Sequence, residues 1–470
     1  MAAIKFGTDG WRGVIGEDYT FANVRLVAQA VAEYLRTARL SERGLVVGYD
    51  TRFGSERFAQ AVAEVVAANG IHVYLTAKAT PTPVICQAVL QRKAGGAGII
   101  TASHNPGSDN GFKYKPEYAG SASPEVVAGI EAQIEATPVR RMPIADAEKQ
   151  GLVERIDAAP DYLRQIAGLV DIEAIKRAGK TVIVDTMFGA GAGYLPQILD
   201  GGQTKVVPLN AERNPLFPGI RAPEPIDGNL GKLKKVVKES GADVGIAYDG
   251  DADRVGLVDE KGRFINQLQV FGLLTYYLLD VRGWRGPIIK SLSTTSMVNR
   301  LGDLYGQAVH ETPVGFKYIG PKMIEQKAMI GGEESGGFGF DHHIPERDGI
   351  LASLFLIDFM LKRGKTPSQL LEELFSKVGP HFYDRIDMTY PAEQRPRILQ
   401  RVADARPATL GGLKVERITT EGGYKYHLHD GSWLLIRFSG TEPLLRIYCE
   451  THATEVVAQL LADGRVLTGI

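Results

Sequence analysis

The sequence predicts an α/β protein made of three similar domains with mixed or parallel sheets, closed by a C-terminal α+β domain. Three observations predict it. A short apolar run, a polar turn, a helical pattern and a second apolar run recur in that order three times. Each copy is followed by another apolar run that opens into a compact polar loop. The last stretch, from Pro380 onward, drops this pattern for shorter alternating segments.

The first copy reads as a buried strand, Gly44 to Tyr49, ending in the turn Asp50-Thr51-Arg52. A helical pattern follows at Phe58, Val62, Val65 and Val66, then Gly70 and a strand from Ile71 to Leu75. The second begins at Thr181 to Asp185, passes the Gly-rich turn Gly189 to Gly193, and returns at Lys205 to Val207. The third begins at Pro287 to Lys290, turns at Ser293-Thr294-Thr295, and returns at Gln307 to Val309. Short apolar runs alternating with helical patterns are the signature of βαβ units, whose ligands gather beyond the carboxyl ends of the strands. The three polar loops, Thr101 to Pro106, Asp249 to Arg254 and Gly332 to Gly337, are therefore expected to share one cleft. At the end, Ser432 to Arg437 reads as a strand and about Ala453 to Ala462 as a closing helix. The expected domains are 1–150, 160–263, 264–378 and 380–470.

The bulk properties narrow the function classes. A chain of 470 residues, 44% hydrophobic and 23% charged, can build large cores. Lys+Arg 54 against Asp+Glu 55 leaves a net charge of -1, so neither nucleic acid nor a membrane is the expected partner. No apolar signal region follows Met1. The most apolar helical stretch, Leu351 to Leu361, is interrupted by Asp358 and is too short to span a bilayer. Cys86 and Cys449 lie far apart in apolar segments and read as buried free thiols. A cytoplasmic location fits all of this.

Each loop carries its own chemistry. Asp249, Asp251 and Asp253 alternate, so an extended segment puts their carboxylates on one side. Three hard oxygen ligands at that spacing suit Mg²⁺, which shares its shell with phosphate. With Glu260 at the twelfth place the run also approaches an EF-hand, but Arg254 occupies the glycine position and both flanks read as strands. Ser103 sits between the strand Ala97 to Ile100 and a turn set by Asn105-Pro106-Gly107, where its hydroxyl can serve as a nucleophile. His104 beside it suggests a Ser–His pair, yet neighbours on an extended backbone point apart and no G-x-S-x-G elbow is present. Arg437 and Arg446 flank Ser439-Gly440-Thr441, a combination that cradles phosphate. Glu333 and Ser335, on a Gly-rich backbone, suit sugar hydroxyls.

These motifs resemble those of the α-D-phosphohexomutases, the family that includes phosphoglucomutase and phosphomannomutase. The resemblance runs in order through Phe6 to Gly13, Thr101 to Pro106, Asp249 to Arg254, Gly332 to Gly336 and Arg437 to Pro443. It implies a heart-shaped, four-domain enzyme with a central cleft. In it Ser103 is phosphorylated and Mg²⁺ binds Ser103, Asp249, Asp251 and Asp253. Lys113 and Arg12 become candidates for proton transfer, with His104 beside the nucleophile. Arg254, Lys290, Lys317, Glu333, Ser335, Arg437, Ser439, Gly440, Thr441 and Arg446 become substrate contacts. The implied reaction interconverts hexose 1-phosphate and hexose 6-phosphate through glucose 1,6-bisphosphate or its analogue, in a monomer or dimer. The loop Gly332 to Gly337, with Asp341 to Gly349, looks like the glucose-preferring members; mannose and glucosamine are the alternatives. Many mannose and glucosamine mutases carry His where this chain has Gly337, and His342 or His343 is expected to substitute, with His342 the nominated substrate contact. A Mg²⁺-dependent sugar phosphatase and a non-catalytic sugar-phosphate binder are the rival classes.

Overall fold

The computed structural model describes residues 4–7, 9–439 and 443–470. Four sheets organise the chain. The first contains Trp11–Val14, Leu45–Tyr49, Val73–Thr76, Gly96–Ile100, Asp109–Pro116 and Val153–Ile156. The second contains Thr181–Asp185, Lys205–Leu209, Val244–Tyr248, Val255–Val258 and Phe264–Ile265. The third contains Ile288–Ser291, Val309–Thr312, Ile330–Gly332 and Phe338–Phe340.

One topology underlies all three. A first strand lies between its parallel second and third strands, and the third turns back into an antiparallel fourth. In the first unit, Leu45–Tyr49 pairs in parallel with Val73–Thr76 and Gly96–Ile100, and the latter pairs antiparallel with Asp109–Pro116. In the second unit, Thr181–Asp185 pairs with Lys205–Leu209 and Val244–Tyr248, which turns back into Val255–Val258. In the third, Ile288–Ser291 pairs with Val309–Thr312 and Ile330–Gly332, which turns back into Phe338–Phe340. The three polar loops singled out in the sequence are the three connections from third to fourth strand. Equivalent places in equivalent units put them at equivalent ends of their sheets.

The sequence expectation needs one boundary correction. The strand Val153–Ile156 pairs in parallel with Val73–Thr76, so the first unit continues past residue 150 to the end of this edge strand. The surrounding Pro- and acid-rich composition hides a four-residue strand with only two buried positions.

Packing explains why the units stay together. The helix Phe21–Thr37 buries Val24, Val27, Ala28, Val31 and Leu35, a spacing that makes one apolar stripe, and Thr20 caps its start by accepting from Asn23 N. The helix Gly349–Arg363 is different, being buried from Gly349 through Met360. Asp348 caps it by accepting from Leu351 N at 2.9 Å, and the buried Asp358 within it accepts from Tyr277 OH at 2.6 Å. A helix apolar on every side belongs in an interior. One continuous cluster runs from Val46 of the first unit through Tyr248 and Phe355 to Val378 of the third. Each large aliphatic or aromatic side chain buried there contributes about 1.5–3 kcal/mol, and Phe355→Ala would cost about 3–5 kcal/mol. Cys86 and Cys449 are free and buried. No helix of the described residues is long and apolar enough to cross a membrane.

The fourth unit is an antiparallel sheet of Phe382–Thr389, Leu444–Thr451, Trp433–Phe438, Tyr424–Leu428, Leu413–Thr419 and Thr409–Leu410, backed by the helices Arg395–Asp404 and Thr454–Thr468. Polar links join it to the third unit. Glu450 accepts from Ser296 N at 2.7 Å and, within the fourth unit, from Trp433 Nε1 at 3.1 Å; Lys425 Nζ donates to the Leu292 carbonyl at 2.7 Å.

Candidate active site

Ser103 stands in the connection that leaves Gly96–Ile100. Its backbone has φ 51°, in the left-handed region that costs a non-glycine residue roughly 1–2 kcal/mol. Thr101 Oγ1 supports the turn by accepting from Ser103 N at 2.8 Å. Ser103 Oγ donates to Asp249 Oδ2 at 2.8 Å and lies 3.2 Å from His104 Nδ1. The expectation that Ser103 and His104 point apart is thereby corrected. It assumes an extended backbone, and the left-handed residue turns the two side chains toward each other. Burial, then Arg254 and Arg12, push the His104 pKa well below its usual value, so its ring is neutral. Arg12 reaches the same turn by donating to Asn105 Oδ1 at 2.6 Å.

Asp249, Asp251 and Asp253 occupy the turn between Val244–Tyr248 and Val255–Val258. They are wholly buried, and each offers a carboxylate oxygen within 4.8 Å of the others. Both flanks are strands, and Glu260 turns away to accept from Ser368 Oγ at 2.5 Å, which removes the EF-hand reading. Lys113, on the strand Asp109–Pro116, donates to Asp251 Oδ2 at 2.7 Å and Asp253 Oδ2 at 3.2 Å, and pairs with Asp9 at 2.9 Å. Thr82 Oγ1 donates to Asp251 Oδ2 at 2.5 Å.

These groups fit a divalent cation. Asp251 Oδ1 and Asp253 Oδ1 are buried and receive no hydrogen bond, a costly state that a cation relieves. Burial, with Asp253 and Asp251 adding to it, drives the Asp249 pKa well up, so the cluster is short of positive charge. Burial also opposes ionisation of Asp251, but Lys113 and Thr82 overcome it and hold that carboxyl down. All-oxygen donors of this hardness select Mg²⁺ or a similar ion.

The third loop joins the same cluster. Val255 N donates to the Gly336 carbonyl at 3.0 Å, and Arg254 bridges Gly337, so the hairpins of the second and third units are bonded to each other. Glu333 is buried, and burial raises its pKa to about 7 despite Arg347. Ser335 Oγ is buried without a hydrogen-bond partner, and a sugar hydroxyl would satisfy it. Arg347, which lies in the Asp341 to Gly349 stretch but is given no role by the sequence, pairs with Asp253 at 2.9 Å, Glu333 at 3.4 Å, Glu346 at 3.0 Å and Asp9 at 2.5 Å. A Cβ on Gly337 would collide with Arg347 Cδ, so the absence of a side chain there makes room for this arginine. Lys115, wholly buried, links Asp9 at 2.9 Å to Glu346 at 2.6 Å. Asp9 and Glu346 lie in quoted motifs without a role assigned to them, and Lys115 lies in none.

His342 is the residue the structure does not bring in. The strand Phe338–Phe340 carries the chain from Gly337 to the other end of the sheet. There the exposed His342 ring packs edge-on against Trp284, and its carbonyl accepts from Gln165 at 2.7 Å. His343 is buried and bonds Asp348 at 2.8 Å. Neither histidine substitutes at the cleft; Arg347 fills the space beside Gly337.

The cationic group is more dispersed. Lys290 is buried, with Nζ donating to the Thr295 carbonyl at 3.0 Å and lying 3.5 Å from Glu311. Lys425 shares Glu311 at 2.9 Å. Arg437 and Arg446 sit opposite each other on paired strands, and Arg446 Nε reaches Asp387 at 3.4 Å. Like charges in register repel unless an anion lies between them. Burial and the Arg437 charge both lower the Lys317 pKa, which places Lys317 in the field of that arginine. Ser439 N donates to the Leu444 carbonyl at 2.8 Å, while Gly440 and Thr441 lie outside the described residues.

Comparison with known proteins agrees with this geometry. Family models described as phosphoglucomutase/phosphomannomutase match the chain four times: α/β/α domain I at residues 3–140, domain II at 160–262, domain III at 266–378 and the C-terminal domain at 391–465. A phosphoglucomutase/phosphomannomutase of Thermococcus kodakarensis is 33% identical, with 98% of this chain and 97% of that protein covered. A candidate phosphoglucosamine mutase of Methanothermobacter thermautotrophicus is 32% identical over 96% of this chain and 94% of its own. The solved structure of a candidate phosphomannomutase from Thermus thermophilus is 35% identical, covers 100% of both chains and superposes with a TM-score of 0.87.

Proposed function

The chain belongs to the phosphoglucomutase/phosphomannomutase family, and from that premise we propose that it interconverts hexose 1-phosphate and hexose 6-phosphate, glucose being the preferred sugar, by way of phosphoserine at Ser103. One observation carries the reading: a buried serine hydroxyl 2.8 Å from one of three buried aspartates, two of which keep an oxygen without a donor.

Ser103, Asp249, Asp251 and Asp253 would hold Mg²⁺, which when bound offsets phosphoryl charge and favours the serine oxygen as leaving group. The rest is done by the chain. Ser103 gives its phosphoryl to the free hydroxyl of hexose 1-phosphate: the P–Oγ bond breaks, a P–O bond to the sugar forms, and the hydroxyl proton ends on Ser103 Oγ. Neutral His104, 3.2 Å from Ser103 Oγ, is placed to exchange a proton with that oxygen. Lys113, which the resemblance offers for proton transfer, is held protonated against its burial by Asp251, Asp253 and Asp9, so it joins Arg12 and Arg254 in stabilising the loose transition state as a fixed charge. The hexose 1,6-bisphosphate then reverses in the cleft, its 1-phosphoryl returns to Ser103, and hexose 6-phosphate leaves. Glu333 and Ser335 read the sugar hydroxyls in both orientations. Lys317, Arg437 and Arg446 hold the phosphate that is not reacting.

Glucose preference rests on the sequence from Gly332 to Gly349; the relatives' names extend to mannose and glucosamine. The test compares kcat/KM on the three hexose 1-phosphates with Mg²⁺ and catalytic glucose 1,6-bisphosphate. Ser103→Ala is expected to abolish turnover and keep sugar-phosphate binding. Full activity in that variant ends the phosphoserine mechanism; inorganic phosphate as the main product favours a phosphatase.

A further inference from the structure

Arg52 lies at the end of the first strand of the first unit and is wholly buried. Its guanidinium spends four N–H groups on main-chain carbonyls of one short turn: Ser103 at 2.6 Å, Asn105 at 2.6 Å, Pro106 at 2.7 Å and Asp109 at 3.1 Å. The fifth donor, Nε, faces Asp50 at 3.3 Å. Asp50 is itself fixed, accepting from Arg52 N at 2.9 Å and Ser55 Oγ at 2.7 Å. The guanidinium also lies over the Phe217 ring of the second unit, 5.1 Å from its centre.

The turn it serves is irregular and carries Ser103 in the left-handed region. The Pro106 carbonyl also accepts from Asp109 N at 3.1 Å, but those of Ser103 and Asn105 lie outside any ladder, and buried carbonyls need donors. No other side chain supplies five donors in a planar fork. The same stretch also grips the metal-loop side. Thr51 Oγ1 donates to the Phe188 carbonyl at 2.7 Å, and Ala190 N donates to the Gly250 carbonyl at 2.9 Å. Asp50-Thr51-Arg52 therefore ties the serine turn and the aspartate turn to one rigid strand end.

We propose that Arg52 is a positioning residue for phosphoryl transfer: it clamps the serine turn from behind in the shape that presents Ser103 Oγ to Asp249. The proposal rests on the reading of Ser103 as the nucleophile. Arg52 touches no reacting atom and acts through the backbone of the turn.

The test assays Arg52→Lys, Arg52→Ala and Ser103→Ala side by side in the full-length protein, with melting curves and mass-spectrometric occupancy of Ser103 phosphate. Lysine keeps the charge and loses the fork. Arg52→Lys is expected to lose about 10²-fold in kcat, the scale of a 1 Å misplacement, with KM changed less than about threefold. Millimolar guanidinium is expected to restore part of the activity of Arg52→Ala. Arg52→Lys with kcat within about twofold of the parent overturns the proposal, and so does a loss that only tracks the folded fraction. Should Arg52→Lys melt below the assay temperature, Asp50→Asn decides instead: lower kcat at constant KM supports the clamp, unchanged kcat overturns it. An active Ser103→Ala would instead remove the nucleophile reading, a separate failure.

Discussion

Ser103 and Asp249, 146 positions apart in sequence, meet across a 2.8 Å hydrogen bond from hydroxyl to carboxylate. The contact joins the first unit to the second through the loops where each offers its chemistry. A cation held at this junction would bind both, and its removal is expected to have two separate consequences.

Chelation of divalent ions is expected to lower kcat by about 10²- to 10⁴-fold, the effect of several kcal/mol of lost charge stabilisation. Saturating Mg²⁺ is expected to raise the melting temperature, since a ligand at about 100 times its Kd adds about 2.7 kcal/mol. Asp253→Asn should weaken Mg²⁺ by at least about tenfold in an activity titration and shrink the thermal shift. An unchanged shift would move the ion elsewhere.

Gly250 holds the backbone contact beneath that junction. A Cβ there would run into the Ser103 carbonyl oxygen, so Gly250→Ala must part the two turns. We expect about 10²-fold lower kcat with little change in sugar-phosphate affinity, read by steady-state kinetics and calorimetry.

Glu333 makes stability pH-dependent. Burial holds its pKa at about 7 in the folded protein, above the ordinary carboxylate value. The folded chain therefore keeps this proton where the unfolded chain has lost it. Its contribution is complete below the unfolded pKa and is lost as pH rises through about 7. Denaturant unfolding should show stability falling from pH 5 to 8 by up to about 3 kcal/mol, and Glu333→Gln should flatten that part of the profile.

Arg437→Ala should act with opposite signs on binding and stability. A charge-assisted bond to phosphate is worth about 1.5–3 kcal/mol, so KM is expected to rise roughly 10- to 100-fold. The free protein, relieved of the repulsion between Arg437 and Arg446, should gain up to about 1 kcal/mol. A variant that loses stability and leaves KM alone would contradict the assignment.

Much of this site is legible in the sequence because its parts are local. The alternation Asp249, Asp251, Asp253 and the strand-flanked Ser103 are short-range patterns, and the apolar runs before them mark the strands. What escapes are long-range partners. Lys115 and Glu346 are 231 positions apart, and Arg347 and Asp9 are 338 apart. No spacing rule announces such a pair; only the meeting of three sheets does. Arg52 reads as part of an ordinary polar turn, since its four carbonyl partners carry no side-chain signature. The Ser103–His104 geometry defeats a reading by alternation because one left-handed residue undoes the regularity of an extended chain. His342 is near enough in sequence to suggest a replacement for an absent histidine, but the short strand after Gly337 carries it away. The side chain that packs beside Gly337 is that of Arg347, beyond that strand.

The three repeated hairpins give the molecule a division of labour. On the proposed function, nucleophile, acid cluster and sugar reader are tethered to different scaffolds with a common blueprint, and Arg347 with the Val255–Gly336 bond ties the second to the third. A rewritten Gly332 to Gly337 segment would then bear on which hexose is accepted while Ser103 stays on its own hairpin.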